Sequence, residues 1–192
     1  MATENYKQLA LPTDVIAKTT SFKIPESELY KFAYTKQIIP LSKNVYDGYT
    51  TEFIEKKAGK SYPERLFEKY CENSNDVEWI YKNGDVGQQY FSIMYQDGLS
   101  RKQWLFYPDY IVKLTNGDVW IIETKGGEKN GHTSNIDIRA GIKFKELKRY
   151  SAQYGVKCGF VRNIEDTLYL CQDEYTEEMI GDNWTLLESV IK

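Results

Sequence analysis

Two stretches of this chain carry charge where a buried strand has no packing reason for it. They are Phe106-Tyr107-Pro108-Asp109-Tyr110-Ile111-Val112 and Val119-Trp120-Ile121-Ile122-Glu123-Thr124-Lys125-Gly126. Charge is expensive away from water, so a Glu and a Lys two residues apart in an apolar strand call for a reason. At that spacing both side chains leave the same face of a sheet. An acid in one strand and Glu-x-Lys in its neighbour is the set that metal-dependent phosphodiester cleavage requires.

The turn between the strands, Thr115-Asn116-Gly117-Asp118, decides which residues face each other. A two-residue type I′ turn at Asn116-Gly117 pairs Asp109 with Thr124 and turns it away from Glu123. A three-residue turn ending with Gly117 in the left-handed region moves the register by one and sets Asp109 opposite Glu123. A bulge near Pro108 has the same effect. The catalytic reading therefore predicts the three-residue turn or the bulge. Two opposed carboxylates repel unless a cation compensates. Oxygen ligands suit Mg²⁺, with Mn²⁺ expected to substitute, and the expected ligands are Asp109, Glu123 and the main-chain carbonyl of Thr124. Such an ion polarises a phosphate and lowers the pKa of a bound water. Lys125 is expected to orient the nucleophile and to stabilise charge in the transition state. The competing reading is a surface hairpin whose Glu123 and Lys125 pair in solvent, and the flanking Trp120, Ile121 and Ile122 argue against it.

The elements that must hold these residues follow from pattern. Residues 1–60 have weak periodicity broken by Pro12, Pro25 and Pro40, and read as an N-terminal extension with short elements. Residues 61–74 read as a helix, with Ser61 as N-cap and Leu66, Phe67, Tyr70 and Cys71 as its apolar stripe. Strands are expected over 76–82, 88–96, 104–114 and 118–125, with turns at 83–85 and 96–98. After a Gly-rich loop, residues 135–154 read as a helix with Ile136, Ala140, Phe144 and Leu147 on one face and Gly155 as its stop. Strands over 156–162 and 167–171 and a terminal helix over 183–191 complete the chain. The fold class is α/β or α+β, a mixed sheet flanked by helices. The expected division is an extension over 1–60, a core over 61–175 and an acidic C-terminal helix packed on it over 176–192.

Composition sets the frame. No apolar run reaches membrane-spanning length, and the first residues lack a signal-peptide core. Cys71, Cys158 and Cys171 have no metal-type spacing and read as reduced, buried thiols, which predicts a cytoplasmic protein. The net charge of −3 argues against nucleic acid when taken alone. Its distribution does not: residues 125–162 hold nine Lys/Arg against three acids, so a basic segment adjoins the acid pair.

With these residues in place, Tyr107-Pro108-Asp109 followed by Glu123-Thr124-Lys125-Gly126 resembles the PD-(D/E)xK nuclease superfamily. Within it, the chain is most similar to the C-terminal endonuclease domain of the Res (restriction) subunit of type III restriction enzymes. Ile39-Pro40-Leu41-Ser42-Lys43-Asn44 and Ser61-Tyr62-Pro63-Glu64-Arg65-Leu66-Phe67-Glu68 also resemble that family, which extends the likeness over about residues 38–165. The resemblance implies a restriction-endonuclease-like fold and Mg²⁺-dependent cleavage of double-stranded DNA. It also implies a helicase-like motor and a methyltransferase subunit as partners. This chain has no phosphate loop and is too short for the motor, so no ATP site is expected.

The resemblance further implies Glu64, three residues before Phe67, as a fourth catalytic and metal-binding residue. Ser61-x-x-Glu64 is also a capping box, and the two uses of one carboxylate are weighed as rivals. Helix spacing sets Glu64 at the edge of the apolar stripe and turns Glu68 further outward. Arg139, Lys143 and Tyr150, on the helix after the site, are the expected DNA contacts, with Lys129 and His132 of the Gly-rich loop near the duplex. Lys145, Lys148 and Arg149 read as a solvated basic face. The rival functions are a catalytically silent nuclease-like module for DNA binding or subunit docking, and another nuclease of the superfamily acting in repair or transposition.

Overall fold

Ser61 starts the first helix among the described residues by a reciprocal cap: its hydroxyl accepts from the Glu64 amide, and its own amide donates to Glu64 Oε2 at 2.7 Å. The structure, a computed structural model, describes residues 41–46, 49, 60–83, 91–96, 102–126, 128–129, 132–133, 139–179 and 182–192. Expectations for residues 1–40, for the turns at 84–85 and 97–98, and for 135–138 of the helix expected over 135–154 lie outside them.

Helix α1 (Tyr62–Asn73) buries Phe67, Glu68 and Cys71. Strands β1 (Val77–Lys82), β2 (Ile93–Gln96), β3 (Gln103–Phe106), β4 (Tyr110–Leu114) and β5 (Val119–Thr124) follow. The run over 104–114 is two strands, not one. Pro108 has no amide hydrogen to give a ladder, and the chain turns there. β3 pairs with β2 in a separate two-stranded sheet, while β4 joins β1 and β5 in the main sheet. Short strands β6 (Glu128–Lys129) and β7 (His132–Thr133) lie in the segment expected as a loop. Helix α2 (Ala140–Tyr154) ends at Gly155, whose φ of 66° supplies the left-handed stop. Strands β8 (Lys157–Ile164), β9 (Thr167–Cys171) and β10 (Thr185–Leu186) follow, then α3 (Leu187–Val190), which is one turn within the helix expected over 183–191.

The main sheet runs β1-β4-β5-β8-β6-β7, with β9 on β8 and β10 on β9. Its ladders are antiparallel except for β5 with β8 and β6 with β8. The parallel β5–β8 pair needs a crossover, and α2 lies in that connection. The protein is thus a mixed αβ fold with a mostly antiparallel sheet and helices on its faces.

Alternation along β5 divides the core. Trp120 and Ile122 join Tyr110, Val112, Leu114, Phe67 and Cys71 under α1. Ile121 joins Phe144, Leu147, Cys158 and Phe160 under α2, with Ile93, Tyr95 and Phe106 of the small sheet. A third cluster sets Tyr46 and Tyr49 against Tyr81 and Ile111, and an isolated bridge joins Asn44 to Ile80. That part of the N-terminal segment therefore packs on β1 and β4. Cys71, Cys158 and Cys171 are free thiols and buried, as their lack of spacing predicts. Among the described residues no helix is long and apolar enough to cross a membrane.

Candidate active site

The hairpin between β4 and β5 has the three-residue turn. Pairing runs Tyr110 with Ile122, Ile111 with Ile121, Val112 with Trp120 and Lys113 with Val119. The Leu114 amide donates to the Asp118 carbonyl at 2.8 Å, the Gly117 amide donates to the Leu114 carbonyl at 3.0 Å, and Gly117 has φ of 97°. Only glycine takes that φ without a steric penalty. Continued one residue outward, this register brings Asp109 opposite Glu123.

Asp109 lies just outside β4, at the sheet's end, and its position is set from several directions. Its carbonyl accepts from the Asn83 amide at 2.7 Å. The Asn83 side chain donates to the carbonyls of Pro108 at 2.7 Å and Phe91 at 2.8 Å, and accepts from the Phe91 amide at 2.8 Å. Asn83 is buried, so these bonds form one polar clamp that ties the end of β1 to the Pro108-Asp109 corner. The carboxylate itself accepts at Oδ2 from the Thr124 amide at 2.8 Å and the Thr124 hydroxyl at 2.7 Å. Its Oδ1 accepts from Lys82 Nζ at 3.0 Å.

Lys82 Nζ stands also 3.0 Å from Glu64 Oε1 and 4.5 Å from the centre of the Tyr110 ring. Glu64 therefore does both things weighed as rivals. One oxygen caps α1 and the other binds Lys82. Glu68 differs from its expectation: it is fully buried and accepts at Oε1 from Tyr49 Oη at 2.6 Å, Lys60 Nζ at 2.8 Å and Tyr110 Oη at 2.8 Å. The stripe of α1 is wide enough to include it because Lys60 and Tyr49, contributed from the N-terminal side, supply its partners.

Glu123 and Lys125 form the second group. Lys125 Nζ donates to Glu123 Oε1 at 2.5 Å, and both side chains are about nine-tenths buried. The Lys125 amide donates to the Val161 carbonyl at 2.9 Å, so β8 holds the strand end in place. Glu123 Oε2 is buried without a hydrogen-bond partner among the described residues.

Their electrostatics diverge. Burial pushes the Glu123 carboxyl up to about 8, the negative charge of Asp109 adds to this, and the Lys125 and Lys143 ammonium groups oppose it. Burial acts on Asp109 in the same direction. The Lys82 ammonium and the Thr124 hydrogen bonds outweigh it and hold Asp109 below the usual carboxylate range. Burial lowers Lys82, and the adjoining Asp109 and Glu64 carboxylates more than reverse that. Two neighbouring carboxyls thus favour opposite protonation states at neutral pH, which is a recurrent property of acid–base sites.

Compared with protein-family models and with curated proteins, the chain matches none.

Asp109 and Glu64 therefore meet through Lys82, Thr124 binds Asp109 directly, and Glu123 meets Lys125, with Asp109 close enough to raise Glu123. Among the described residues no three His, Cys, Asp or Glu side chains are grouped so as to hold a metal ion. Each acid is turned to a lysine instead. The donor chemistry nevertheless fits a hard dication, because Glu123 has an oxygen buried without a partner beside a second carboxylate.

Of the expected DNA contacts, Arg139 is the N-cap of α2, and Lys143 and Tyr150 lie within it. The Arg139 guanidinium lies 4.8 Å from the Trp104 ring centre, and Lys143 Nζ lies about equally far from the rings of Tyr95 (6.0 Å) and Phe106 (5.8 Å). Tyr150 packs edge-on to Phe91 and against Tyr154, in the apolar cluster under α2. The side chains of Lys129 and His132 lie outside the described residues; their backbones pair in β6 and β7. Lys82 and Asn83 were missed from the sequence. Lys82 had a signal: it shares a strand face with the core residue Ile80, so it is a charge on a buried face, as Lys125 is. Asn83 resembled an ordinary turn residue before Gly84.

Proposed function

We propose that this chain is a Mg²⁺-dependent DNA endonuclease domain with a restriction-endonuclease-like fold, similar to the nuclease part of a type III restriction Res subunit. The observation that carries the reading is the hairpin register, which brings Asp109 opposite Glu123 with Lys125 bonded to Glu123. Asp109, Glu123 and the Thr124 carbonyl would hold the ion, which supplies Lewis-acid polarisation of a phosphate and a more acidic water. Lys125 donates to the reacting phosphate oxygens and stabilises the charge that grows there. Thr124 holds the Asp109 carboxylate, and Asn83 holds the main-chain corner that carries it. Arg139, beside the exposed Trp104, and Lys143, beside Phe106, offer phosphate contacts on the α2 side, and the Lys143 charge reaches Glu123.

A second reading, a catalytically silent DNA-binding or docking module, is favoured by one feature: Lys82 and Lys125 already neutralise the acids without a metal. Plasmid cleavage with Mg²⁺ separates the two, against EDTA and against Lys125→Ala. The nuclease reading expects relaxed or linear product only with Mg²⁺, and a loss of about 10²–10³-fold in Lys125→Ala. Absence of both cleavage and Mn²⁺ binding in the unaltered protein would overturn it.

A further inference from the structure

Lys82 is the charge for which the nuclease reading gives no use. It is buried, at the end of β1, and it stands between two carboxylates from different elements: Glu64 of α1 and Asp109 before β4, each 3.0 Å from Nζ. The Tyr110 ring closes one side at 4.5 Å from Nζ. An ammonium group with carboxylate oxygens on two sides occupies the kind of place a hard cation takes, while the ring on a third side suits an ammonium in particular. Glu64 is fastened there by its second oxygen, which caps α1, and Asp109 by the Thr124 amide and hydroxyl. Neither carboxylate can swing away to make room without breaking a bond of its own.

We infer that Lys82 takes the place of a second metal ion, so that the site is built for a single dication held by Asp109 and Glu123. The inference rests on the nuclease reading. It assigns Lys82 as a positioning residue: a tethered cation that holds Asp109 and Glu64 together and carries the positive charge a second ion would bring. A tethered ammonium costs no binding step and cannot be removed by a chelator. It also cannot acidify a water as an ion does, so proton removal from the nucleophile is left to the single ion and the groups around Glu123.

Counting bound Mn²⁺ by calorimetric titration and by electron paramagnetic resonance tests this on the full chain. The unaltered protein is expected to bind one ion. Lys82→Met, of similar length and no charge, is expected to bind two, and Lys82→Met with Glu64→Gln to return to one. Lys82→Gln gives a second, more polar route to the same two-ion state should the methionine variant fail to fold. Two ions in the unaltered protein would overturn the inference and leave the nuclease reading standing. A count that stays at one in folded Lys82→Met or Lys82→Gln would also overturn it. No Mn²⁺ bound by any of the proteins would overturn the metal site itself, and the inference with it.

Discussion

Without metal, Glu123 is expected to make the stability of this protein fall as pH rises. Its carboxyl is pushed from an ordinary 4.5 up to about 8, first by burial and then by Asp109. Between those values the folded chain holds a proton that the unfolded chain has released, so each step up in pH favours unfolding. The contribution is intact below the ordinary value, declines through the interval, and is gone above about 8. At about 1.4 kcal/mol per pH unit, the span from 4.5 to about 8 amounts to on the order of 5 kcal/mol. That is a large part of the stability of a domain of this size. The assay is urea unfolding in EDTA from pH 5.5 to 8.5, comparing the unaltered chain with Glu123→Gln. The glutamine variant is expected to lose most of the slope, and the difference removes any contribution of the one histidine. Asp109, Glu72 and Asp118 are all shifted downward, so their titration lies below the window. Saturating Mg²⁺ at pH 8.5 is expected to restore stability to the unaltered protein and not to the variant. A stability that is flat or rising over this range, or a slope shared equally by Glu123→Gln, would refute the reasoning.

Lys60→Met strands the buried Glu68 carboxylate on two tyrosine hydroxyls, and a loss of about 3–5 kcal/mol is expected in urea unfolding; adding Glu68→Gln should recover part of it. Asn83→Ala leaves the Pro108 and Phe91 carbonyls without their donor, so about 1–3 kcal/mol of stability should be lost and cleavage should fall with it, because the corner carrying Asp109 loosens. Gly159→Ala puts a methyl group 2.5 Å from Leu170 Cδ1 and 2.8 Å from the Cys171 carbonyl; the expected cost is about 1–3 kcal/mol by thermal or urea melting, and no change would show that β9 shifts freely.

Much of this arrangement could be read from local chemistry. Ser61 and Glu64 mark the start of α1 because a cap is a matter of a few adjacent atoms. Gly155 marks the end of α2 for the same reason. Turn geometry leaves two registers, both with Gly117 at positive φ, and the pairing of Leu114 with Asp118 decides between them. What could not be read is what depends on contacts distant in sequence. Glu68 looks like an outward residue of an amphipathic helix until Lys60, Tyr49 and Tyr110 are brought to it. Lys82 shows in the sequence only as a charge on a buried strand face, and its place beside Asp109 depends on the β1–β4 ladder. The run over 104–114 has the composition of one strand, and only pairing with β2 shows that its first half belongs to another sheet. In each case the missing information is tertiary: a charge's partner, or a strand's neighbour.

Arg162 has a similar reach. It is fully buried on β8, and it donates from Nε to the Gly126 carbonyl at 2.7 Å and from Nη1 to the Glu177 carbonyl at 2.5 Å, with its guanidinium 5.4 Å from the Trp184 ring centre. One side chain thereby laces the residue after Lys125 to the acidic tail. Trimming the tail to obtain a minimal core would leave that guanidinium with a severed tie in the interior, beside the lysine on which the nuclease reading depends. The tail is thus a buttress of the corner that holds Lys125, and on that reading a truncated protein that still folds is expected to cut poorly.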